Sequence, residues 1–210
     1  MKKDALIISG GWEGHSPEEF TECFKNILEE QDFQVSTINS LDLKDYEKQL
    51  KCVDLIIPNW TTGRISFDSL TLLLEAVQEG AGLAGIHGGM GDAFREQTEY
   101  QYMVGGQFVA HPGGQNVVYE VTIKDHEHEI TKGVAGTFTV NSEMYYMHVD
   151  PGNHVIASTK QKNGEMPVAW VKKYGEGKIF YCSVGHTPSD LTERNLYQLI
   201  KNGFLWASNK

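Results

Sequence analysis

The chain has 210 residues, 40% hydrophobic and 22% charged, which fits a single globular domain over residues 1–210. Its formal net charge of −10 at pH 7 opposes phosphate backbones and anionic lipid surfaces, so the charge argues against nucleic-acid and membrane partners. No apolar run reaches the roughly 18 residues of a membrane span, and the three cysteines are widely spaced without a C-x-x-C pair. We therefore expect a cytoplasmic protein.

The first half of the chain alternates strand and helix patterns. Residues 5–9 form a short, continuous apolar run, which is typical of a strand buried on both faces. Further strands are predicted at residues 33–38, 53–57 and 82–86, the second of these ended by Pro58. Alternation with helices predicts an open α/β architecture with a parallel sheet and right-handed crossovers.

Two helices in this half are predicted from their capping signals. The first begins at Pro17, with Ser16 as N-cap and Glu19 as the reciprocal partner of Ser16 in a capping box. The second is capped by Ser66 and presents Phe67 and several following leucines to the core.

The second half changes to strand-like segments joined by short turns. Strands are predicted at residues 116–123, 137–140, 155–158, 166–173 and 178–184, with turns at Asn163-Gly164 and Gly175-Glu176-Gly177. The last two strands indicate an antiparallel hairpin, and a helix from about Ser189 to Ser208 follows. The second half therefore adds antiparallel strands to the sheet.

Histidines in or beside glycine-rich segments follow several predicted strands, at the edge where open α/β sheets bind ligands. His15 follows the first strand, His87 the fourth and His186 the last. Three of eight histidines at such positions favour one shared site. Trp12 and Trp60 follow the first and third strands, where they can either stack on the apolar face of a sugar or pack as core aromatics.

His87 stands between a predicted strand and a predicted helix, which is the layout of a nucleophile elbow. Its side chain is an imidazole, so position 87 suits a base, a hydrogen-bond donor or a metal ligand. A turn histidine that bonds only loop backbone is the alternative. Gly88 and Gly89, which follow it, lack the lysine and the spacing of a phosphate-binding loop, and a nucleotide P-loop is excluded.

Further candidate residues lie in the middle of the chain. His111 lies in a glycine-punctuated segment that either lines a pocket or crosses into the second half. Glu143 and Tyr145 place a carboxylate beside aromatics, a pattern that suits acid–base chemistry on a sugar-like ligand and equally a structural salt bridge. His126 and His128 have a spacing that suits either a metal or a polar turn.

Taken in order, these segments resemble the ThuA-like family, named for trehalose utilisation, within the class I glutamine amidotransferase-like superfamily. The matching residues span nearly the whole chain and are Gly10-Gly11 with His15, Gly85-Ile86-His87-Gly88-Gly89 with Asp92, Gly105-Gly106-Gln107-Phe108 with His111-Pro112, Asp125 with His128 and Ile130-Thr131-Lys132-Gly133, Glu143 with Tyr145, Pro167-Val168-Ala169-Trp170, Gly175-Glu176-Gly177-Lys178 and Gly185-His186. One departure is His128-Glu129-Ile130, where the family has His-Pro-Ile.

The resemblance implies a three-layer, flavodoxin-like α/β domain with a mainly parallel open sheet. It also implies a role in bacterial carbohydrate catabolism, with keto-glycosides derived from disaccharides as substrates. His87 occupies the place of the elbow cysteine of class I amidotransferases, so glutamine hydrolysis through a thioester is not expected.

Two functions from different classes stay open. The first is a sugar-processing hydrolase, lyase or isomerase whose catalytic residues are His87, His15, His111, His186, Asp92 and Glu143, with Asp92 orienting an imidazole. Substrate contacts are then expected from Trp12, Trp60, Gly88, Gly89 and Tyr145. The second is a non-catalytic module that binds or senses a small carbohydrate. The sequence leaves open whether a divalent ion such as zinc is bound, and whether the chain forms a homo-oligomer.

Overall fold

The computed structural model describes residues 2–162 and 164–209. These residues form eleven strands: β1 Lys3–Gly11, β2 Phe33–Ile38, β3 Leu55–Thr61, β4 Gly82–Ile86, β5 Gly106–Ala110, β6 Val117–Ile123, β7 Thr137–Ser142, β8 Tyr146–Val149, β9 His154–Gln161, β10 Gly164–Tyr174 and β11 Gly177–Cys182. Asn163, half of a predicted turn, lies outside the described residues.

The α-helices of the described residues are α1 Pro17–Glu29, α2 Glu47–Leu50, α3 Phe67–Gln78, α4 His87–Gly91, α5 Thr98–Val104 and α6 Arg194–Ala207. Short 3-10 turns occupy Glu13–His15, Leu43–Tyr46, Glu129–Thr131 and Pro188–Thr192. None of the helices in this part of the chain is long and apolar enough to cross a membrane.

Nine of the strands form one sheet in the order β2-β1-β3-β4-β11-β10-β9-β6-β7. The strands from β2 to β11 pair in parallel, and those from β11 to β7 pair antiparallel. β5 and β8 pair with each other in a separate two-stranded sheet. The predicted α/β fold, with antiparallel strands added in the second half, is confirmed.

Two apolar clusters cover the two faces of the large sheet. Ala5 and Ile7 of β1 pack in the cluster that contains residues of α1 and α6. Leu6 and Ile8 of the same strand pack in the cluster that contains residues of α3 and α5. Both faces of β1 are therefore buried, which explains its continuous apolar run and gives three layers.

Two local predictions are wrong. Pro58 does not end β3, which continues to Thr61. Proline has no backbone N–H to donate, but the pairing of β3 with β4 stops at Ile56, so no hydrogen bond to β4 is lost at position 58. Phe67 is 79% exposed rather than buried. The first turn of α3 packs against Leu43–Tyr46, where the Leu43 N–H donates to the Ser69 hydroxyl, and leaves Phe67 in solvent.

Ser16 is the N-cap residue of α1 as predicted, but the predicted side-chain capping box with Glu19 is wrong, whereas the cap at Ser66 is confirmed. Ser16 ends the preceding 3-10 turn in the left-handed conformation, with φ of 46°, and its side chain makes no capping bond to α1. A side-chain cap needs an extended N-cap residue, which is what Ser66 provides: its hydroxyl accepts from the Ser69 N–H at 3.2 Å.

These two serines give a matched test of capping. Ser66→Ala is expected to lower the free energy of unfolding by about 1 kcal/mol, because one backbone donor of α3 loses its partner. Ser16→Ala removes no cap and is expected to change that energy by less than about 0.5 kcal/mol. Urea unfolding followed by circular dichroism measures both variants. Equal losses would contradict the assignment of the cap to Ser66.

Candidate functional site

The imidazole of His87 is held in one orientation at the end of β4. His87 is the first residue of α4, and its φ of 44° is a left-handed backbone, a conformation that concentrates at functional sites in residues other than glycine. Its Nδ1 lies 2.8 Å from the carbonyl oxygen of Ser183. The ring stacks on Tyr145 with centroids 3.9 Å apart, and the Tyr181 hydroxyl donates to the His87 carbonyl.

Three further side chains bring a ring nitrogen or a carboxylate oxygen close to Nε2 of His87. Oε2 of Glu143 is 3.3 Å from Nε2 of His87, 3.3 Å from Nδ1 of His186 and 3.9 Å from Nε2 of His15. The four atoms lie within 4.8 Å of one another, and all four residues are buried. We refer to His15, His87, Glu143 and His186 as the tetrad.

His15 is positioned by the 3-10 turn that follows β1. Its Nδ1 lies 2.8 Å from the Thr61 hydroxyl at the end of β3. Burial, together with the neighbouring imidazoles of His87 and His186, lowers the pKa of His15 to about 3. His15 is therefore a neutral imidazole at pH 7.

Burial and the neighbouring side chains act in opposite directions on the pKa values of Glu143 and His186. Burial lowers the pKa of His186, Glu143 acts to raise it, and His87 acts to lower it. Burial acts to raise the pKa of the Glu143 carboxyl, but His87, His186 and His111 lower it by more, and the net shift is downward. The tetrad therefore holds one carboxylate charge in a buried place. Nδ1 of His186 is buried and has no hydrogen-bond partner among the described residues.

The tetrad forms part of the wall of a pocket of about 340 Å³. The pocket is lined by Trp12, His15, Thr61, Thr62, Asp92, Arg95, Phe108, His111, Glu143 and Tyr145. His111, which is half-exposed, brings its Nδ1 to 3.9 Å from Oε1 of Glu143. The structure thus places four of the predicted histidines around the predicted carboxylate.

Asp92 lies in the same pocket, but the prediction that it orients an imidazole is wrong. Its two carboxylate oxygens accept from Nε and Nη2 of Arg95 at 2.5 and 2.7 Å. The imidazoles are oriented instead by the Thr61 hydroxyl and the Ser183 carbonyl. Sequence reasoning missed Arg95, although its place three residues after an acidic residue is a signal for such an ion pair.

The two tryptophans have different surroundings. Trp12 is 52% exposed and lines the pocket. Trp60 is not part of that lining; its ring lies over the backbone of Gly10, Gly11 and Gly63, where a Cβ would come within 3.0 Å of it. Trp60 therefore packs on glycines rather than facing the pocket.

Gly88 and Gly89 are also outside the pocket lining, and their closest neighbours explain why glycine is present. A Cβ on Gly88 would lie 2.5 Å from two ring atoms of His15. A Cβ on Gly89 would lie 3.0 Å from the side-chain oxygen of Asn59. The missing side chains let α4 approach His15 and β3, which brings His15 and His87 together.

The histidines near residue 125 do not join the tetrad. His126 is exposed, and His128 accepts from the Ile130 N–H through Nδ1, which supports the polar-turn interpretation. Nε2 of His154 lies 2.8 Å from Oδ2 of Asp125.

The fold and the site together define an α/β protein with a histidine- and glutamate-walled pocket after its parallel strands. The family model described as ThuA, trehalose utilisation, matches residues 4–207, and the chain therefore belongs to the ThuA family. This membership gives it a role related to trehalose utilisation. A comparison with curated proteins finds no match.

Solved structures share the fold. A ThuA-like protein from Parabacteroides merdae has a TM-score of 0.84 and 18% identity, over 100% of this chain and 91% of that chain. A ThuA-like protein from Bacteroides uniformis has a TM-score of 0.81 and 20% identity, over 98% and 91%. A cytoplasmic protein from Salmonella typhimurium has a TM-score of 0.69 and 15% identity, over 99% and 100%. At these identities the similarity establishes the fold alone.

Proposed function

We propose that this chain is an enzyme that processes a sugar or keto-glycoside by acid–base chemistry of histidine and carboxylate groups. The observation that carries the proposal is the convergence of four imidazoles on one carboxylate at the wall of a pocket. The family description, trehalose utilisation, supports a carbohydrate as the substrate.

The other pocket residues suit a sugar. Trp12 and Phe108 offer aromatic faces for the apolar side of a pyranose ring, and the Arg95–Asp92 pair offers donors and acceptors for its hydroxyls. The volume of about 340 Å³ falls at the lower end of the range for small-molecule sites.

His111 is the imidazole placed to exchange a proton with the substrate, because it lines the pocket, is half-exposed and faces the Glu143 carboxylate. A ketone on a sugar ring makes the adjacent C–H acidic, so a base can remove that proton and the resulting enolate can expel a leaving group at the next carbon. The same base then returns the proton to the leaving oxygen. A positioned acid–base group of this kind contributes about 10²–10⁴-fold.

The test is turnover of trehalose and of its mono-keto derivative, followed by NMR of the products. We expect the wild type to convert the keto derivative, and His111→Gln to do so about 10²–10⁴-fold more slowly. His154→Gln is the matched control, because His154 pairs with Asp125 outside the pocket, and it should keep full activity.

Two other outcomes would replace the proposal. Thermal stabilisation by these sugars without any turnover would identify a non-catalytic carbohydrate-binding or sensing module. Neither stabilisation nor turnover with either sugar would overturn the assignment of a sugar ligand.

A further inference from the structure

The hydrogen bonding of His87 leaves a lone pair directed at a carboxylate. A carbonyl oxygen only accepts, so the bond to Ser183 assigns the proton to Nδ1 of His87. In the neutral ring, Nε2 then presents a lone pair to Oε2 of Glu143 at 3.3 Å. Two acceptors at this distance in a buried place repel each other unless a proton or a cation lies between them.

The surroundings of His186 favour a cation over a proton between Nε2 of His87 and Oε2 of Glu143. Its Nδ1 lies 3.3 Å from the same carboxylate oxygen and is buried without a hydrogen-bond partner. Buried polar atoms are nearly always paired, so an unpaired one needs an explanation. A proton on His87 would serve the pair with Glu143 only, whereas a cation at the centre would satisfy both imidazoles and the carboxylate.

We propose that the tetrad is a binding site for one divalent transition-metal ion of the zinc type, with His15, His87, His186 and Glu143 as its ligands. The ligand atoms are Nε2 of His15 and His87, Nδ1 of His186 and Oε2 of Glu143.

The separations of these atoms fit such an ion. A tetrahedral zinc ion with bonds of roughly 2.0–2.2 Å sets its ligand atoms about 3.4 Å apart. The distances from Oε2 of Glu143 to the three imidazoles are 3.3, 3.3 and 3.9 Å, and every pair lies within 4.8 Å. Small movements of the side chains would complete the coordination.

The surroundings of the ligands also fit. Metal-bound histidines present their second ring nitrogen to a backbone carbonyl, a carboxylate or another hydrogen-bonding partner, and His87 and His15 do so to the Ser183 carbonyl and the Thr61 hydroxyl. Three imidazoles and one carboxylate are a ligand set that suits zinc and its neighbours in the first transition row, and not magnesium or calcium. A divalent ion also compensates the buried charge of Glu143.

The pocket gives the ion a function. His15 and Glu143 both line the pocket, so a fifth ligand can reach the ion from that side. In that position the ion would polarise a substrate carbonyl, which makes an adjacent C–H more acidic. This step rests on the proposed function, whereas binding of the ion does not.

The experiment uses full-length protein purified without an affinity tag, stripped with a chelator and titrated calorimetrically with Zn²⁺. We expect one equivalent per chain with a Kd of about 1 μM or tighter. Co²⁺ in place of Zn²⁺ should give intense visible absorption, because low-coordinate Co²⁺ sites absorb strongly. Glu143→Gln and His186→Gln should each weaken Zn²⁺ binding by more than about 100-fold. Loss of a residue that only hydrogen-bonds a metal ligand already lowers metal affinity about 10- to 100-fold, and these two variants lose a ligand itself.

His154→Gln is the matched control, because His154 and Asp125 form a histidine–carboxylate pair that lies outside the tetrad. It should bind Zn²⁺ like the wild type. Circular dichroism checks that each variant is folded. Thr61→Val replaces any tetrad variant that does not fold: it removes only the hydrogen-bond partner of His15 and should weaken Zn²⁺ binding about 10- to 100-fold.

Three results would overturn the inference: no tight Zn²⁺ binding by the wild type, unchanged binding in the folded tetrad variants, or loss of binding in His154→Gln. Failure of the proposed function gives a different result, in which Zn²⁺ binds with the expected dependence on the tetrad and the keto-sugar is not converted.

Discussion

His87→Ala is expected to lower turnover of a keto-glycoside by about 10²–10⁴-fold while the chain stays folded. The imidazole is the group that reaches both Glu143 and the Ser183 carbonyl, and alanine can reach neither. Initial rates with the keto derivative of trehalose, measured beside circular dichroism spectra, test this. Unchanged rates would remove His87 from the reaction.

The strained backbone at His87 provides a control for stability. At a φ of 44°, alanine keeps the left-handed strain, which costs roughly 1–2 kcal/mol, whereas glycine does not. His87→Gly should therefore be as inactive as His87→Ala and more resistant to urea. If alanine proved the more stable variant, the left-handed backbone at this position would not be the source of strain.

Gly88→Ala is expected to lower kcat/KM by about 100-fold, the cost of moving a reacting group by about 1 Å. The added Cβ would lie 2.5 Å from Cε1 and Nδ1 of His15, and Nδ1 is the atom that bonds Thr61. His15 must therefore leave its place in the tetrad. The measurement is steady-state kinetics of the purified variant with the keto-sugar.

A double-mutant cycle separates this effect from a general disturbance of α4. In a His15→Ala background the ring that the new Cβ would meet at 2.5 Å is absent and only the Tyr145 hydroxyl, at 3.0 Å, stays close, so Gly88→Ala should cost much less than in the wild type. Equal losses in both backgrounds would show that Gly88 acts through contacts other than His15.

The sequence allowed the parallel half of the fold to be predicted well. Buried parallel strands need apolar residues on both faces, so the run at 82–86 matches β4 at both ends. The prediction at 33–38 also matches β2, an edge strand whose buried residues include Phe33 and Ile38. The elbow at His87 was predictable for the same reason, because the strand before it and the glycines after it are both local signals.

Other parts of the site depend on tertiary contacts that leave no local pattern. Glu143 follows β7 in the antiparallel half, and nothing in its neighbourhood in the sequence shows that it meets His15. The partners that orient the imidazoles, Thr61 and the Ser183 carbonyl, are equally remote from them in the chain. Asp92 was assigned to an imidazole because the competing cation, Arg95, was overlooked.

The four segments that carry the tetrad follow β1, β4, β7 and β11, so the tetrad exists only when the sheet is formed from β1 across to β7. An ion or substrate that binds the folded tetrad alone therefore adds its binding free energy to global stability, about 2.7 kcal/mol at a concentration 100-fold above its Kd. Chains that have closed only part of the sheet gain none of this. A saturated site thus distinguishes fully folded molecules from folding intermediates. Without the ligand, the folded protein is easier to unfold and degrade.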